Sequence, residues 1–260
     1  MEKSLKIVYF SPTDTTKNIV NKVASEMALP IIKEFNLTNY EYNNFKYTFN
    51  ENDVILLGSP VYGARIPKTA KNRFNGLTGS NSKIVLVLTY GNVHYDYSPI
   101  EFYEMIKNKG FTIIGIGVFS VRHNVFKNIG LNRPNEQDYK EIKQFSQNLV
   151  EKINRNTNKN IEIKWEGSFG ENPKYPVRPK GNKNCQKCGL CIKLCPENAI
   201  EPTDPRKTIK DKCAFCTRCI KYCPNRARNF PKTSYFIAEL FVRIMKRIKY
   251  NQINGNEIIL

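Results

Sequence analysis

The sequence predicts an α/β protein in which a five-stranded parallel, doubly wound sheet is followed by a small α+β domain and a C-terminal helix. Two observations carry this prediction. Short apolar runs alternate with amphipathic segments through residues 1–157, as is typical of a parallel sheet covered by helices on both faces. All eight cysteines lie between Cys185 and Cys223, which marks that stretch as a separate module.

The first region contains five apolar runs that suit buried strands, each followed by a helical or surface connection. The predicted strands are residues 5–10, 30–37, 53–58, 83–89 and 111–121. The predicted helices are residues 13–27, 67–74, 98–109 and 133–155, and residues 38–52 form a surface connection. Pro67 and Pro134 suit the first turn of a helix, and Gly110 suits a C-terminal stop.

The rest of the chain divides by composition. Residues 158–180 are rich in Asn, Gly and Pro, which predicts an extended linker that Trp165 can pin to a domain. The cysteine-rich domain spans residues 181–231, and residues 232–260 form a C-terminal helix and tail. The helix itself is predicted over residues 235–250.

The cysteines form two copies of one spacing, Cys-x-x-Cys-x-x-Cys-x-x-x-Cys-Pro. The first copy is Cys185, Cys188, Cys191 and Cys195, and the second is Cys213, Cys216, Cys219 and Cys223. This is the ligand run of a bacterial ferredoxin with two 4Fe–4S clusters, in which the fourth Cys of each run binds the other cluster. On that pattern Cys223 joins the first three cysteines, and Cys195 joins the later three. Zinc and disulfides are disfavoured, because zinc does not need this repeat and disulfides suit small secreted scaffolds.

Three loops follow the first, third and fourth predicted strands, at the strand ends where an open α/β sheet binds its ligand. Residues 11–17 offer hydroxyl groups at a helix N-terminus, which suit either a phosphate or a simple helix cap. Residues 58–64 and 89–97 combine small residues with tyrosines that can stack on a flat ring. Together the loops favour one planar, phosphorylated ligand. The candidate binding residues are Ser11, Thr13, Thr15, Thr16, Ser59, Pro60, Val61, Tyr62, Gly63, Thr89, Tyr90, Gly91, Asn92, Tyr95 and Tyr97.

Residues 5–155 resemble a flavodoxin, and residues 181–230 resemble a bacterial two-cluster ferredoxin. In this order the chain resembles the flavodoxin–ferredoxin fusion proteins of many anaerobes. The resemblance implies FMN in the first domain, two 4Fe–4S clusters in the second, and electron transfer between them. It also implies that the hydroxyl groups of residues 11–16 hold the FMN phosphate, while residues 59–63 and 90–97 border the isoalloxazine ring.

Two departures from these families carry predictions. Asp14 stands where flavodoxin-like loops usually carry Gly, and a carboxylate beside a phosphate dianion predicts weak or exchangeable FMN binding. Arg226 and Arg228 follow the last cysteine. Positive charge close to a cluster stabilises its reduced state, so we expect potentials less negative than those of acidic ferredoxins. His94 and His123, the two histidines of the chain, are expected to be solvated surface groups.

Charge narrows the range of partners. The net charge is +18, and residues 171–260 carry 19 of the 41 Lys and Arg residues but only 7 of the 23 Asp and Glu residues. Clusters with four thiolates are negative and offset part of this charge, and the remainder predicts an acidic protein partner or an anionic membrane surface. Nucleic acid is disfavoured because no nucleic-acid motif accompanies the charge. The N-terminus lacks the pattern of a signal peptide and no apolar run suits a membrane span, so a cytoplasmic location is expected.

The leading interpretation is an electron-transfer protein that connects FMN with two 4Fe–4S clusters. No acid–base pair or nucleophile stands out, which favours a carrier over an enzyme with a small substrate. The alternative is an FMN-dependent reductase with an iron–sulfur relay, and a redox-sensing nucleic-acid binder is a third reading. The C-terminal helix mixes apolar and basic residues. It suits packing on a domain or on a second copy in a homodimer, or binding to an anionic membrane surface.

Overall fold

The structure is a computed structural model that describes residues 3–155, 159–173, 175–250 and 255–260. Its strands are β1 (Ser4–Tyr9), β2 (Ile31–Asn36), β3 (Tyr47–Phe49), β4 (Asp53–Pro60), β5 (Leu77–Gly79), β6 (Ser82–Tyr90), β7 (Phe111–Ser120), β8 (Lys180–Gly181), β9 (Arg228–Asn229) and β10 (Glu257–Ile259). Its α-helices are α1 (Thr15–Met27), α2 (Lys68–Phe74), α3 (Ser98–Ile106), α4 (Glu136–Asn154), α5 (Leu190–Leu194), α6 (Arg218–Lys221) and α7 (Lys232–Lys249). Short 3-10 helices cover Tyr40–Asn44 and Lys210–Lys212.

The central sheet contains five parallel strands in the order β2-β1-β4-β6-β7. Counted among themselves, these strands have the flavodoxin-like order 2-1-3-4-5, so the predicted fold class is confirmed. Every residue of β4 and β6 is buried, because α1 and α4 cover one face of the sheet while α2 and α3 cover the other. Helix α4 begins later than Pro134, at a capping box formed by Asn135 and Asp138.

The C-terminal tail adds a sixth strand that the sequence did not predict. Strand β10 pairs antiparallel with β7, opposite Ile116, Gly117 and Val118. The chain before it is held by Tyr90, whose hydroxyl group donates to the carbonyl of Gly255 at 2.7 Å. Without the tail, β7 would be an edge strand with unpaired backbone groups, and β10 satisfies part of that edge. The tail is therefore part of the first domain's sheet.

The cysteine-rich domain, residues 181–231, is called the ferredoxin module below. Its two halves share one backbone path, and equivalent positions are 28 residues apart, as Cys185 and Cys213 are. The left-handed backbone angles of Lys187, Gly189 and Asn198 recur at Phe215, Thr217 and Arg226. These turns wrap each cysteine run, and α5 and α6 occupy equivalent places after them.

The first part of the linker lies against the first domain. The backbone N–H of Ile161 donates to the carbonyl of Ile113 at 2.9 Å, and the Ile161 side chain is buried. The ring of Trp165 lies 4.8 Å from that of Tyr97 and 5.4 Å from that of Phe169, measured between centroids. These contacts attach the first part of the linker to the first domain. None of the helices in the described part of the chain is long and apolar enough to cross a membrane.

Candidate functional site

A cavity of about 560 Å³ lies at the carboxyl ends of the parallel strands, where open α/β sheets bind their ligands. Its volume is in the range of small-molecule sites. Loops after β1, β4, β6 and β7 form its floor, and the linker contributes Tyr175. The ferredoxin module contributes Phe215 and Cys216, and α7 forms its roof. One cavity therefore touches both modules.

Part of the predicted ligand-binding set lines this cavity. These residues are Thr15, Pro60, Val61, Tyr62, Gly63, Thr89 and Gly91. Burial raises the pKa of Tyr62 well above its ordinary value, so its phenol stays protonated. The hydroxyl group is buried and has no hydrogen-bond partner among the described residues. A buried, unpaired donor in a cavity wall fits a bound molecule that carries acceptor atoms, as FMN does.

The loop after β1 divides its hydroxyl groups between internal bonds and the cavity. Ser11 Oγ accepts a hydrogen bond from the backbone N–H of Lys17 at 3.0 Å, so it stabilises the start of α1 as a cap would. The hydroxyl oxygens of Thr16 and Thr89 lie 2.7 Å apart in a buried pair. Thr15 lines the cavity, and its hydroxyl group donates to Asn124 Oδ1 at 3.3 Å. The loop thus places Thr15 in the cavity wall and uses Ser11 and Thr16 within the protein.

Five other predicted residues lie outside the lining of the cavity and hold neighbouring segments. Tyr90 binds the chain before β10, and the Tyr95 ring packs on it with centroids 4.9 Å apart. Asn92 Nδ2 donates to Ser120 Oγ at 2.7 Å, and Asn92 Oδ1 accepts from Lys246 of α7. Tyr97 packs on the linker, and the Ser59 hydroxyl group donates to the carbonyl of Pro60. The tyrosines at the end of β6 and in the loop after it therefore contact protein segments and not the cavity. The tail and the linker, both far away in sequence, pack on that loop.

The loop after β7, for which the sequence made no prediction, lines the cavity with residues 121–126. His123 is partly buried there, and burial lowers its pKa to about 4. Its Nδ1 accepts hydrogen bonds from the backbone N–H groups of Val125 and Phe126, at 3.1 and 3.0 Å. The expectation of a solvated surface histidine was therefore wrong for His123, which is neutral at pH 7. The strand-end rule that identified the other loops also applies to this one.

The roof of the cavity is α7. Its residues Tyr235, Ala238 and Val242 pack against Val93 and Phe126 of the first domain. His94 stacks on Tyr250, just after the helix, with ring centroids 4.1 Å apart. This face of α7 shields the cavity from water, as the packing alternative for the C-terminal helix predicts.

A second, smaller cavity is lined by four cysteines from both runs: Cys195, Cys213, Cys216 and Cys219. The structure thus places the fourth cysteine of the first run beside the first three of the second. Burial raises the pKa of the Cys219 thiol to about 11, and it raises the pKa of Cys213 and Cys216 as well. Such thiols become thiolates when a positively charged metal centre binds them. This donor set fits a 4Fe–4S cluster.

Three of the remaining cysteines, Cys185, Cys188 and Cys191, lie close enough to interact. Burial raises the pKa of Cys191, and the proximity of Cys185 and Cys188 contributes to this shift. Cys223 Sγ accepts a hydrogen bond from the backbone N–H of Ala227 at 3.2 Å, matching the bond from Ala199 to Cys195 Sγ, also at 3.2 Å. Within the described ranges, no three Cys, His, Asp or Glu side chains converge as ligands of a single metal ion.

Arg228 lies between the two cysteine groups. Its side chain is buried, and its guanidinium donates to the carbonyls of Pro179 and Pro205 and to the hydroxyl of Thr208. Burial dominates the raised pKa of both Cys191 and Cys219, but the charge of Arg228 acts to lower each of them. One guanidinium therefore acts on both cysteine groups.

The two arginines that follow the last cysteine differ in their surroundings. Arg226 is exposed in a left-handed turn, and its backbone carbonyl accepts from Asn229. Of these two arginines, only Arg228 is buried and acts on cysteines of the two runs. We therefore expect only Arg228 to change the potentials of the clusters.

Asp14 connects the two modules. It adopts a left-handed backbone angle (φ 59°), and its carboxylate accepts a hydrogen bond from the Tyr222 hydroxyl. Lys221 Nζ lies 3.2 Å from Asp14 Oδ2 and donates to the carbonyl of Thr13. Burial acts to raise the pKa of Asp14, but the bonds from Tyr222 and Lys221 outweigh it and lower the pKa. The Lys221 ammonium thus offsets the charge that was expected to repel a phosphate.

Two further contacts dock the ferredoxin module. Arg73 of α2 is fully buried and donates to the carbonyl of Pro196 at 2.8 Å. Arg218 donates to Asn39 Oδ1 at 2.9 Å. Pro196 and Arg218 belong to the two cysteine runs, while Arg73 and Asn39 belong to the first domain. These bonds therefore hold the two candidate cofactor sites close together.

Comparison with protein families matches the 4Fe–4S binding domain over residues 182–201. An uncharacterized protein of Methanocaldococcus jannaschii is 26% identical over 148 residues, which are 52% of this chain and 94% of that protein. The chain therefore combines a doubly wound sheet of flavodoxin-like strand order with a 4Fe–4S binding domain, in the order that the sequence predicts.

Solved structures similar to the first domain include flavodoxins and flavoproteins. A Fusobacterium nucleatum flavodoxin variant bound to flavin mononucleotide is 18% identical, with 59% of this chain and 98% of that chain covered and a TM-score of 0.39. A Lactobacillus acidophilus flavoprotein in complex with FMN is 21% identical, with 45% and 92% covered and a TM-score of 0.29. Oxidised flavodoxin 1 of Bacillus cereus is 12% identical, with 57% and 98% covered and a TM-score of 0.38.

Proposed function

We propose that the protein transfers electrons between FMN, bound in the 560 Å³ cavity, and two 4Fe–4S clusters bound by the eight cysteines. One observation carries this proposal: the cavity wall contains the flavodoxin-like loops together with Cys216, which also lines the cysteine cavity. A flavin and a cluster in these places would share a wall, which suits direct electron transfer. When bound, FMN exchanges one or two electrons and each cluster exchanges one.

The protein's own groups would orient and tune these cofactors. Thr15 lies at the N-terminus of α1, where a phosphate is stabilised, and Tyr62 offers a hydrogen bond to the ring. Apolar side chains of α7 exclude water from the cavity. Arg228 supplies buried positive charge between the two cysteine groups. These roles need no general acid or nucleophile, which supports a carrier.

The group of Cys185, Cys188, Cys191 and Cys223 is the one farther from the flavin cavity in this scheme. Cys188 is exposed, so a cluster there would lie near the surface, accessible to an external redox partner. Lys183, Lys187 and Lys193 are exposed around it, and residues 181–195 include no acidic residue. This surface suits an acidic redox protein, because opposite charges steer association.

Anaerobic purification with iron, sulfide and flavin quantitation tests the proposal. For each chain we expect the iron and sulfide of two 4Fe–4S clusters and one molecule of FMN. Cys195→Ser should remove the cluster next to the flavin and stop rapid electron exchange with it. Cys223→Ser is the matched control, because it should remove the other cluster and leave that exchange intact. Zinc in place of iron, or absence of flavin, would contradict the proposal, and steady oxidation of a nicotinamide cofactor would favour the reductase instead.

A further inference from the structure

Helix α7 has two faces of different character. One face packs on the first domain through Tyr235, Ala238 and Val242. The opposite face carries five large apolar side chains that remain 46 to 75% exposed. They are Phe236, Ile237, Leu240, Ile244 and Ile248. Contiguous exposed apolar surface of this kind marks an interaction site, and we call this row the apolar face of α7.

Basic side chains border the apolar face. Arg243 and Arg247 are exposed on the same side of the helix, three and seven residues after Leu240, and Lys232 is exposed at its start. The one acidic residue of α7 is Glu239. It is buried on the opposite side and accepts a hydrogen bond from Asn128 Nδ2 at 2.7 Å. The exposed side of α7 is therefore apolar and cationic, without an acidic group.

This combination matches the chemistry of one partner. An amphipathic helix in the plane of a membrane buries apolar side chains among acyl chains, while bordering Lys and Arg residues contact anionic headgroups. A second copy of the chain would bring two sets of like charges together, which opposes association. The net charge of +18 further attracts the molecule to an anionic surface.

We propose that α7 docks the protein on an anionic phospholipid bilayer, with the helix lying in the plane of the surface. The other face of α7 roofs the flavin cavity through Ala238 and Met245. Docking would thus hold the cavity about one helix diameter, roughly 10–12 Å, from the lipid. This inference rests on α7 alone and stands independently of which cofactors are bound.

Flotation of the full-length, cofactor-loaded protein with vesicles tests the proposal. Vesicles of phosphatidylcholine alone are compared with vesicles that also contain phosphatidylglycerol, at low salt and at about 1 M salt, where the Debye length is about 3 Å. We expect binding only to the anionic vesicles, and its loss at high salt. Equal binding to both vesicles, or no binding to either, would overturn the proposal.

Two pairs of variants separate apolar and electrostatic contributions. The double variant Arg243→Gln/Arg247→Gln should weaken binding roughly 30-fold, since each basic residue near an anionic surface contributes roughly fivefold. Its matched control is Lys140→Gln/Lys143→Gln on the exposed side of α4, which should leave binding nearly unchanged. Equal loss in both would show that net charge alone binds the vesicles, and would refute docking through α7.

The apolar pair is Ile237→Ser/Ile248→Ser, at side chains that do not line the flavin cavity. We expect roughly tenfold weaker binding, or more, because buried apolar surface is lost. Ile32→Ser/Leu131→Ser is the control, with side chains 56 and 57% exposed elsewhere on the surface. Light scattering is measured in parallel without vesicles. If the unmodified protein forms a dimer and the Ile237→Ser/Ile248→Ser variant is a monomer, the apolar face binds a second copy of the chain. That result would overturn the proposal.

Discussion

Replacing Arg228 by Ile should make the clusters harder to reduce, because it removes a buried positive charge between the two cysteine groups. The side chain is 1% exposed, and its charge acts on cysteines of both groups. Ile is the informative replacement, because Ile200 occupies the equivalent position of the first half, 28 residues earlier, and is also buried. After the substitution, both halves of the ferredoxin module carry Ile at this position, so the charge that distinguishes them there is removed.

The size of the effect follows from the position of the guanidinium. The guanidinium of Arg228 lies close enough to Cys219 to act on the pKa of that thiol, so we take roughly 8 Å as its separation from an electron shared over an adjacent cluster. At an effective dielectric constant of about 20, two unit charges at that separation interact by about 2 kcal/mol. For a one-electron step this corresponds to a potential about 90 mV more negative.

Potentiometric titration followed by EPR measures the shift in the cofactor-loaded protein. Arg226→Gln is the matched control, because Arg226 is exposed and screened by water, and its loss should change the potential little. Arg228→Gln keeps a donor for the carbonyls that the guanidinium satisfies, so it covers the case in which Arg228→Ile unfolds. Unchanged potentials in a fully loaded Arg228 variant, or equal shifts at both arginines, would refute the reasoning.

Two other groups give measurable expectations. Lys221→Met should weaken FMN binding up to about fivefold, because its partly exposed pair with Asp14 contributes about 0.2–1 kcal/mol. The same change in an Asp14→Asn background should have little effect, and fluorescence titration that finds equal losses would argue against the pairing. The free energy of unfolding should decrease as pH falls from about 6.5 to about 4, since the folded pKa of His123 is lowered to about 4 and the unfolded value is about 6.5. Its neutral form thus stabilises the protein above this range by on the order of 3 kcal/mol, and this stabilisation is lost as pH falls through the range. Urea unfolding at several pH values should show a flatter profile for His123→Gln, and an unchanged profile would contradict this assignment.

Much of the architecture could be predicted from the sequence because it depends on local patterns. Apolar runs of strand length alternate with helical segments, and that alternation produces the parallel sheet whatever the details of packing. The 28-residue repeat of the cysteine spacing is likewise local. It produces the same left-handed turns in both halves, at Lys187 and Gly189 and again at Phe215 and Thr217. The strand-end rule located the general position of the cavity for the same reason.

The details of the site depended on contacts between residues far apart in the chain. The sequence predicts that Tyr90 and Tyr95 stack on a ligand ring. In the structure Tyr90 instead binds the chain just before β10, more than 150 residues later, and Tyr95 packs on Tyr90. The charge of Asp14 is offset by Lys221, which no pattern near Asp14 indicates. The loop after β7 lines the cavity although it carries no motif.

Arg226 and Arg228 show the distinction most directly. The sequence by itself determined that two positive charges follow the last cysteine, and that the cysteines form two equivalent runs. Only the tertiary structure decided that Arg226 remains in an exposed turn while Arg228 enters β9 and is buried between those runs. The physical reason is that spacing along the chain determines local backbone geometry, whereas the electrostatic effect of a charge depends on its burial and its distance from the other charges.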